Sequence, residues 1–195
     1  MSKKKAQPFR VREIFPHAYH EAGHAVVGHV IGRLIEEVSI VPDKARGYKG
    51  YCRCSPFMEA AHDRFQWQEG SANSEIMTFF YAGTVATEIV CQQHGWKYER
   101  MRDGAQDDLD MIDQWCLETG IDKEEPSAGK ETCLAQAREI LTPHWSAIEA
   151  LAIELVVHGK VPGGVAHLII RQALGETGDD WRLETWGMKD SSEPI

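Results

Sequence analysis

The segment His20-Glu21-Ala22-Gly23-His24 contains the residue types from which a hydrolytic metal centre is built. Two histidines four residues apart lie on one face of an α-helix, one turn apart, so both imidazole rings can reach one tetrahedral metal ion. Glu21 sits beside that face and could act as general base toward a water activated by the metal. The segment therefore predicts a zinc ion held by His20 and His24, with Glu21 as the catalytic base.

A catalytic zinc site also needs a third protein ligand and one open coordination position. His29 is excluded, because nine residues separate it from His20, about 180° around a helix that turns ~100° per residue. His17 lies on the metal side at the start of the helix, and we expect it to support the ligands at most. Carboxylates remain, and nitrogen ligands combined with an oxygen ligand favour zinc. Spacing alone leaves five of them open: Glu88, Asp107, Asp108, Asp110 and Asp113.

The first helix and a small β-element must position these residues. We expect Pro16 in the first turn of a helix that ends near residues 34–37. Alternating residues then predict a strand over Val38–Val41, stopped by Pro42, and a second strand over Tyr51–Cys54. Apolar residues at helical spacing mark the buried face of the helix: Ala18, Ala22, Ala25, Val26 and Val30.

The remainder of the chain is predicted to be mostly helical. A helix over residues 72–93 is uncharged through its centre and therefore buried, so Glu88 must be a metal ligand or have a close hydrogen-bond partner. Thr142-Pro143 fits a helix N-cap followed by proline in the first turn. Further helices are predicted at 105–119, 130–141 and 143–158, and a last one follows a turn at 161–164 and runs through Leu174.

Composition and charge limit the class of protein. The 195 residues are 43% hydrophobic and 26% charged, as expected for a single globular domain. The net charge of −9 argues against nucleic-acid binding, which needs a basic surface to neutralise phosphates. Charge is uneven at the ends, which predicts a basic flexible tail at 1–12, a domain at 13–174 and an acidic tail at 175–195.

The cysteines and the apolar segments indicate a cytoplasmic, reduced protein. Five is an odd number of cysteines for a disulfide framework, and only Cys52 and Cys54 lie close together. Metal binding and two thiols on alternate residues of one strand explain that spacing equally well. No apolar stretch follows the basic N-terminus, so no signal peptide is expected. The longest uncharged apolar-rich run falls short of the ~18 residues that a membrane span needs.

Several segments in order resemble one protein family. YHEAGHAVVGHVIG, followed by VSIVP and GYKGYC, resembles the peptidase domain of FtsH-type ATP-dependent zinc proteases. YAGTVATEIV is similar to a helix of that family that ends in paired glutamates, with Glu88 at the second and Thr87 replacing the first. GAQDDLDMI is similar to the segment whose last aspartate is the third zinc ligand, a register that implies Asp108 as the ligand and aligns Asp107 with an asparagine. The resemblance runs over residues 15–172.

The resemblance implies a fold and an activity. The fold would be mainly α (α+β), a helical zincin-like peptidase domain with a small β-element after the HEAGH helix. The activity would be that of a zinc metalloendopeptidase with the ligands His20, His24 and Asp108 and the base Glu21. The sequence contains no phosphate-binding loop, since Gly129-Lys130 is followed by glutamate, so we expect a stand-alone peptidase.

Without a motor, the expected substrate is an already flexible polypeptide or peptide. We expect it to bind by adding a strand to the edge near Val38–Val41. The loop at 55–72 matches no segment of the family, so specificity there is open.

Two alternatives remain at this point. The chain could be a non-catalytic zinc-binding interaction module, which the replacement at Thr87 favours and the intact Glu21 opposes. It could instead be a peptidase subunit that depends on a separate ATPase, docked through the basic residues 1–12. The ring assemblies of the family also make a homo-oligomer an open expectation.

Overall fold

The computed structural model describes residues 11–42, 49–55, 71–97, 105–120, 129–177 and Leu183. The described part is mainly α-helical with a small three-stranded sheet, in agreement with the predicted mainly α class. Nearly all of both predicted tails and of the loop at 55–72 lies outside the described residues. In chain order the elements are α1 (Val11–Val30), β1 (Ile35–Ser39), β2 (Tyr51–Cys54), α2 (Ser71–His94), α3 (Ala105–Thr119), α4 (Lys130–Leu141), α5 (Trp145–His158), β3 (Lys160–Pro162) and α6 (Gly163–Leu174).

Helix α1 begins and ends earlier than the sequence predicts. Pro16 lies inside the helix rather than in its first turn, where its missing N–H removes one backbone hydrogen bond. The helix stops at Val30 because Gly32 adopts a left-handed backbone conformation with φ of 77°. The Arg33 N–H then bonds back to the Gly28 carbonyl at 2.8 Å, which closes the last turn.

The sheet has the order β2-β1-β3, and both neighbours of β1 are antiparallel to it. Val38 pairs with Cys52 on one side and with Val161 on the other. The expectation that a substrate strand adds to Val38–Val41 is therefore wrong, since both edges of β1 are occupied. Strand β3, where the sequence predicted a turn, has three residues and forms through this pairing. Among the described residues, the outer edge of β2 has no strand partner.

Helix α1 lies at the centre of the core, packed against α2 and α5. Ala18, Ala22 and Ala25 of the predicted apolar stripe are fully buried. At Gly23 the helices approach so closely that a β-carbon would lie 2.6 Å from the Ala86 side chain. Glycine and alanine at this crossing allow α2 to reach the predicted metal-binding face of α1.

A smaller apolar cluster attaches α3 to the rest of the molecule. Met77 and Tyr81 of α2, Ile112 of α3 and Cys133 of α4 are all buried in it. Ile112 lies one helical turn after Asp108, so the cluster fixes the position of that carboxylate.

A buried polar network joins α1 to α6 on the side of α1 that faces away from His20. The Ile35 N–H donates to His167 Nε2 at 3.1 Å, so His167 Nδ1 carries a proton and donates to His29 Nδ1 at 3.0 Å. His29 Nε2 in turn donates to Glu176 at 3.1 Å. His29 is thus engaged away from the predicted metal, as its helical position requires.

The junction of α4 and α5 differs from the predicted cap. Thr142 donates its hydroxyl proton to the Arg138 carbonyl at 2.7 Å and so satisfies the end of α4. Helix α5 begins only at Trp145, with His144 at the cap position and no side-chain hydrogen bond there. The prediction that Thr142 caps the following helix is wrong.

Among the described residues, no single helix has both the length and the apolar character needed to cross a membrane. Only α4 and α5 taken together meet those requirements, and the pair is bent by 85° at its junction.

Ionisation of Glu75, near the start of α2, should lower the free energy of unfolding at alkaline pH. One of its carboxylate oxygens is buried without a hydrogen-bond partner among the described residues, and burial raises the pKa of Glu75 to about 7. Between the ordinary carboxyl pKa and about 7 the folded state holds a proton that the unfolded chain releases, so the free energy of unfolding falls as pH rises. We expect Glu75→Gln to raise the thermal midpoint at about pH 8 and to change it little at about pH 5.

Thermal unfolding of both proteins at both pH values checks this expectation. Glu131→Gln, at an exposed position of α4, is the matched control. Equal effects of Glu75→Gln at the two pH values would contradict the role of its ionisation.

Candidate metal centre

Three side chains from two helices bring their ligand atoms together. His20 and His24 of α1 are buried, and their Nε2 atoms lie 3.2 Å apart. Asp108 of α3 places Oδ2 at 2.9 Å from His20 Nε2 and at 3.3 Å from His24 Nε2. No other group of three such side chains that could hold a metal ion occurs in the described part of the chain.

The spacing of these atoms fits a metal ion of the size of zinc. In a tetrahedron with metal–ligand distances of about 2.0–2.1 Å, neighbouring ligand atoms lie roughly 3.3 Å apart. The three observed separations, from 2.9 to 3.3 Å, are close to that edge. Three protein ligands would leave one position of a tetrahedral ion open for water or substrate.

Hydrogen bonds that the histidines donate to α2 fix which ring nitrogens face the centre. His24 Nδ1 donates to the carbonyl of Phe79 at 2.8 Å. Thr87 gives its only hydroxyl proton to the Gly83 carbonyl at 2.8 Å, so it accepts a hydrogen bond from His20 Nδ1 at 3.3 Å. In the neutral rings both Nε2 atoms then carry lone pairs, which point at each other and at a carboxylate. Such a set of acceptors requires a cation between them.

The pKa shifts of the residues at the centre also indicate that a positive charge is required there. Burial lowers the pKa of His24, but the charge of Asp108 outweighs burial and raises it to about 9. Burial raises the pKa of Asp108, but His24 and His20 outweigh burial and hold it well below the ordinary value. Asp108 Oδ2 is nevertheless buried without a well-formed hydrogen bond among the described residues. In the metal-free protein a proton on His24 supplies the positive charge that a metal ion would supply.

Glu21 lies in the same cleft, whose volume is about 380 Å³. It is buried on α1 next to His20 and lines the cleft together with the three candidate ligands. Gly50, just before β2, packs directly on it, because a β-carbon at Gly50 would lie 2.6 Å from Glu21 Oε1. The carboxylate is thus held between the candidate ligands and the wall formed by β2.

Gly83 of α2 is the point where the opposite helix touches both histidines. A β-carbon there would lie 2.4 Å from His24 Nε2 and 2.6 Å from His20 Nε2. These are the two atoms that face the centre, so any side chain at this position would occupy the space of the metal.

The other carboxylates considered from sequence lie elsewhere. Glu88 is half-buried and forms an ion pair with Arg138 at 2.9 Å, which gives it the close partner that its helix position demanded. Asp110 and Asp113 are exposed on α3, and Asp110 accepts a hydrogen bond from Gln106. The side chain of Asp107 lies outside the described residues. His17 lines the cleft beside the predicted ligands.

The wall opposite α1 contains residues that the sequence did not connect with the centre. Cys52 and Cys54 of β2 line the cleft, and their sulfur atoms lie 4.0 Å apart. The hydrogen bond between the two thiols raises the pKa of Cys52 and lowers that of Cys54. Arg33 lies 4.7 Å above the ring of Phe79 in the same cleft. Only the folding of β2 over α1 brings the two cysteines to the site.

Replacing Gly83 with alanine should remove metal binding while the fold is retained. The new methyl group would lie within 2.6 Å of both Nε2 atoms, and the rings could escape it only by losing their bonds to Thr87 and Phe79. We expect zinc affinity to fall by more than the roughly 10–100-fold that loss of a ligand-orienting partner costs. Thr84→Ala, one residue further along α2, is the matched control.

Metal content after dialysis and the circular dichroism spectrum of both variants check this. Full zinc occupancy in Gly83→Ala would show that the metal does not bind between these histidines.

Comparison with known proteins finds similarity to one group, and no protein-family model matches the chain. ATP-dependent zinc metalloprotease FtsH 3 of Symbiobacterium thermophilum is 32% identical over 118 residues, 57% of this chain and 16% of that protein. FtsH 1 of Thermomicrobium roseum is 38% identical over 93 residues, 46% of this chain and 13% of that protein. FtsH of Pirellula staleyi is 31% identical over 112 residues, 54% of this chain and 14% of that protein.

The chain thus spans only 13–16% of the length of these curated relatives. Over about half of its own residues it contains a region related to FtsH zinc metalloproteases.

Proposed function

We propose that the chain is a zinc-dependent metalloendopeptidase with a zincin-like site that cleaves flexible polypeptides. The observation that carries the proposal is the convergence of three acceptor atoms, from His20, His24 and Asp108, beside the buried carboxylate of Glu21. The names of the relatives support zinc as the metal and peptide hydrolysis as the reaction class. Zinc bound there would polarise the attacking water and the scissile carbonyl as a Lewis acid.

Glu21 is the residue that moves the proton in this proposal. It follows His20 directly in α1 and lines the same cleft as the three candidate ligands, so a water activated there would lie beside its carboxylate. Glu21 takes the proton of the attacking water and later delivers it to the leaving amine. Gly50 on one side and α1 on the other hold the carboxylate in place, so no large rearrangement precedes the transfer.

The substrate backbone is proposed to pair with β2 rather than with β1. The outer edge of β2 has no strand partner among the described residues, and its side chains line the cleft. An extended peptide on this edge would make backbone hydrogen bonds and pass its scissile bond across the centre. This binding mode needs an unfolded segment, which is why flexible polypeptides are the proposed substrates.

Metal content should show whether Asp108 or Glu88 is the third metal ligand. Asp108→Ala removes one of three converging ligand atoms, and we expect zinc affinity to fall by more than about 10²-fold. Glu88→Ala breaks only a partly exposed ion pair with Arg138, so zinc should stay at one per chain. Mass spectrometry of both dialysed variants measures this, and zinc lost only from Glu88→Ala would overturn the assignment.

Glu21→Gln should abolish cleavage and leave zinc bound. Glutamine has nearly the same shape but cannot accept the proton, and loss of a general base typically costs 10²–10⁴-fold in rate. Hydrolysis of unfolded casein and zinc content are measured together, with Glu88→Gln as the control for a carboxylate outside the cleft.

Cleavage at the wild-type rate in Glu21→Gln would exclude this carboxylate as the base. A wild-type protein that binds zinc but leaves casein intact would instead favour a non-catalytic zinc module or dependence on a separate ATPase. Addition of a partner ATPase would restore cleavage only in the second case.

A further inference from the structure

Two thiols lie side by side on the wall of the candidate active site. Cys52 and Cys54 are alternate residues of β2, so their side chains project from the same face of the strand. Their sulfur atoms are 4.0 Å apart, and neither forms a disulfide. Both are partly exposed and line the cleft that contains Glu21, whereas Cys91 and Cys133 are buried outside it. A small molecule that enters the cleft therefore meets two neighbouring thiols.

We propose that Cys52 and Cys54 form a redox modification site, at which a low-molecular-weight disulfide such as oxidised glutathione converts the two thiols into an intramolecular disulfide that closes the cleft to substrate. The effect on substrate rests on the proposed peptidase function, while the modification itself does not.

The reaction is a pair of thiol–disulfide exchanges. One cysteine, as its thiolate, attacks a sulfur of oxidised glutathione, forms a mixed disulfide and releases one glutathione thiolate. The second cysteine loses its proton to solvent and attacks the sulfur of the first, which releases the second glutathione thiolate. Two protein thiols are oxidised and one external disulfide is reduced to two thiols, so two electrons pass from the protein to glutathione.

Ring closure must deform β2. A disulfide needs its sulfurs at about 2.05 Å and most often has its α-carbons about 5.5–6 Å apart, whereas residues two apart in a strand are spaced roughly 6.6–6.8 Å along it. The strand must therefore contract between Cys52 and Cys54. Two features allow this: the outer edge of β2 has no strand partner among the described residues, and its pairing with β1 is already irregular between Ile35 and Glu37.

The deformation would reach the catalytic carboxylate. Gly50 lies two residues before Cys52 and packs against Glu21, with its hypothetical β-carbon 3.2 Å from Glu21 Cδ. The same strand edge is the proposed docking site for the substrate backbone. A contracted β2 thus displaces the wall of Glu21 and the substrate pairing edge together, and misplacement by about 1 Å can cost about 10²-fold in rate.

Peptide mapping tests the modification without reference to activity. The folded, zinc-loaded full chain is incubated with oxidised glutathione, alkylated and digested with trypsin, which cleaves after Arg53 between the two cysteines. We expect peptides 50–53 and 54–64 to appear joined, and to separate on reduction. In Cys52→Ser the reaction should stop at a glutathione adduct on Cys54. Glutathione adducts on both cysteines of the wild type, without linked peptides, would overturn the proposal.

Casein cleavage by the same samples tests the consequence. We expect oxidised wild type to lose about 10²-fold in rate at unchanged zinc content and to recover with a phosphine reductant. Cys91→Ser, a control at a buried position outside the cleft, should respond like wild type. Linked peptides together with an unchanged rate of casein cleavage would contradict the proposal that the disulfide closes the cleft to substrate. If the reduced protein cleaves nothing, the peptidase function fails, while linked peptides still support the modification site.

Discussion

The close contact between α1 and α2 is the constraint on which the candidate centre depends. Gly23 lets the helices touch, and Gly83 leaves the two histidine Nε2 atoms room to face one another. The same stretch of α2 supplies the Phe79 carbonyl and the Thr87 hydroxyl that orient the rings. This helix crossing therefore sets the tautomers of both rings, because a wider crossing would break their hydrogen bonds to Phe79 and Thr87.

The centre concentrates acceptor atoms where water is largely excluded, and this has an energetic consequence. Two lone pairs and a carboxylate oxygen within 3.3 Å of one another repel unless a positive charge lies among them. In the metal-free protein His24 holds that charge as a proton, with its pKa raised to about 9 by Asp108 against the opposing effect of burial. A divalent cation satisfies the three acceptors together, whereas a proton bridges only two of them. The packing of Ile112 enforces this arrangement by fixing Asp108 on α3.

Local sequence patterns predicted much of the structure. The predictions failed where contacts between residues far apart in the sequence determine it. The spacing of His20 and His24 is a property of a single helix, so the sequence alone placed them on one face. Spacing could not choose Asp108 among five carboxylates, because its position depends on how α3 packs. The resemblance to FtsH-type proteases indicated Asp108 as the third ligand.

The ends of the secondary-structure elements were less predictable for related reasons. Helix α1 ends at a glycine whose left-handed conformation the apolar pattern did not reveal. Strand β3 exists because β1 pairs with it, a contact that no local pattern contains. The partly exposed cysteines of β2 reach the cleft only after the sheet has formed over α1, so their relation to Glu21 is a tertiary property.

Thr87 shows how a departure from a family pattern can be explained by its contacts. Replacement of a glutamate there suggested a site that had lost its catalytic role. In the structure the hydroxyl accepts a hydrogen bond from His20 Nδ1 and donates to the Gly83 carbonyl, so it fixes the ring in the orientation that a ligand needs. A carboxylate at this position would add a third negative charge beside a centre that already contains Asp108 and Glu21. The threonine orients His20 without that charge, so this substitution is compatible with an intact metal centre and does not by itself favour a non-catalytic role.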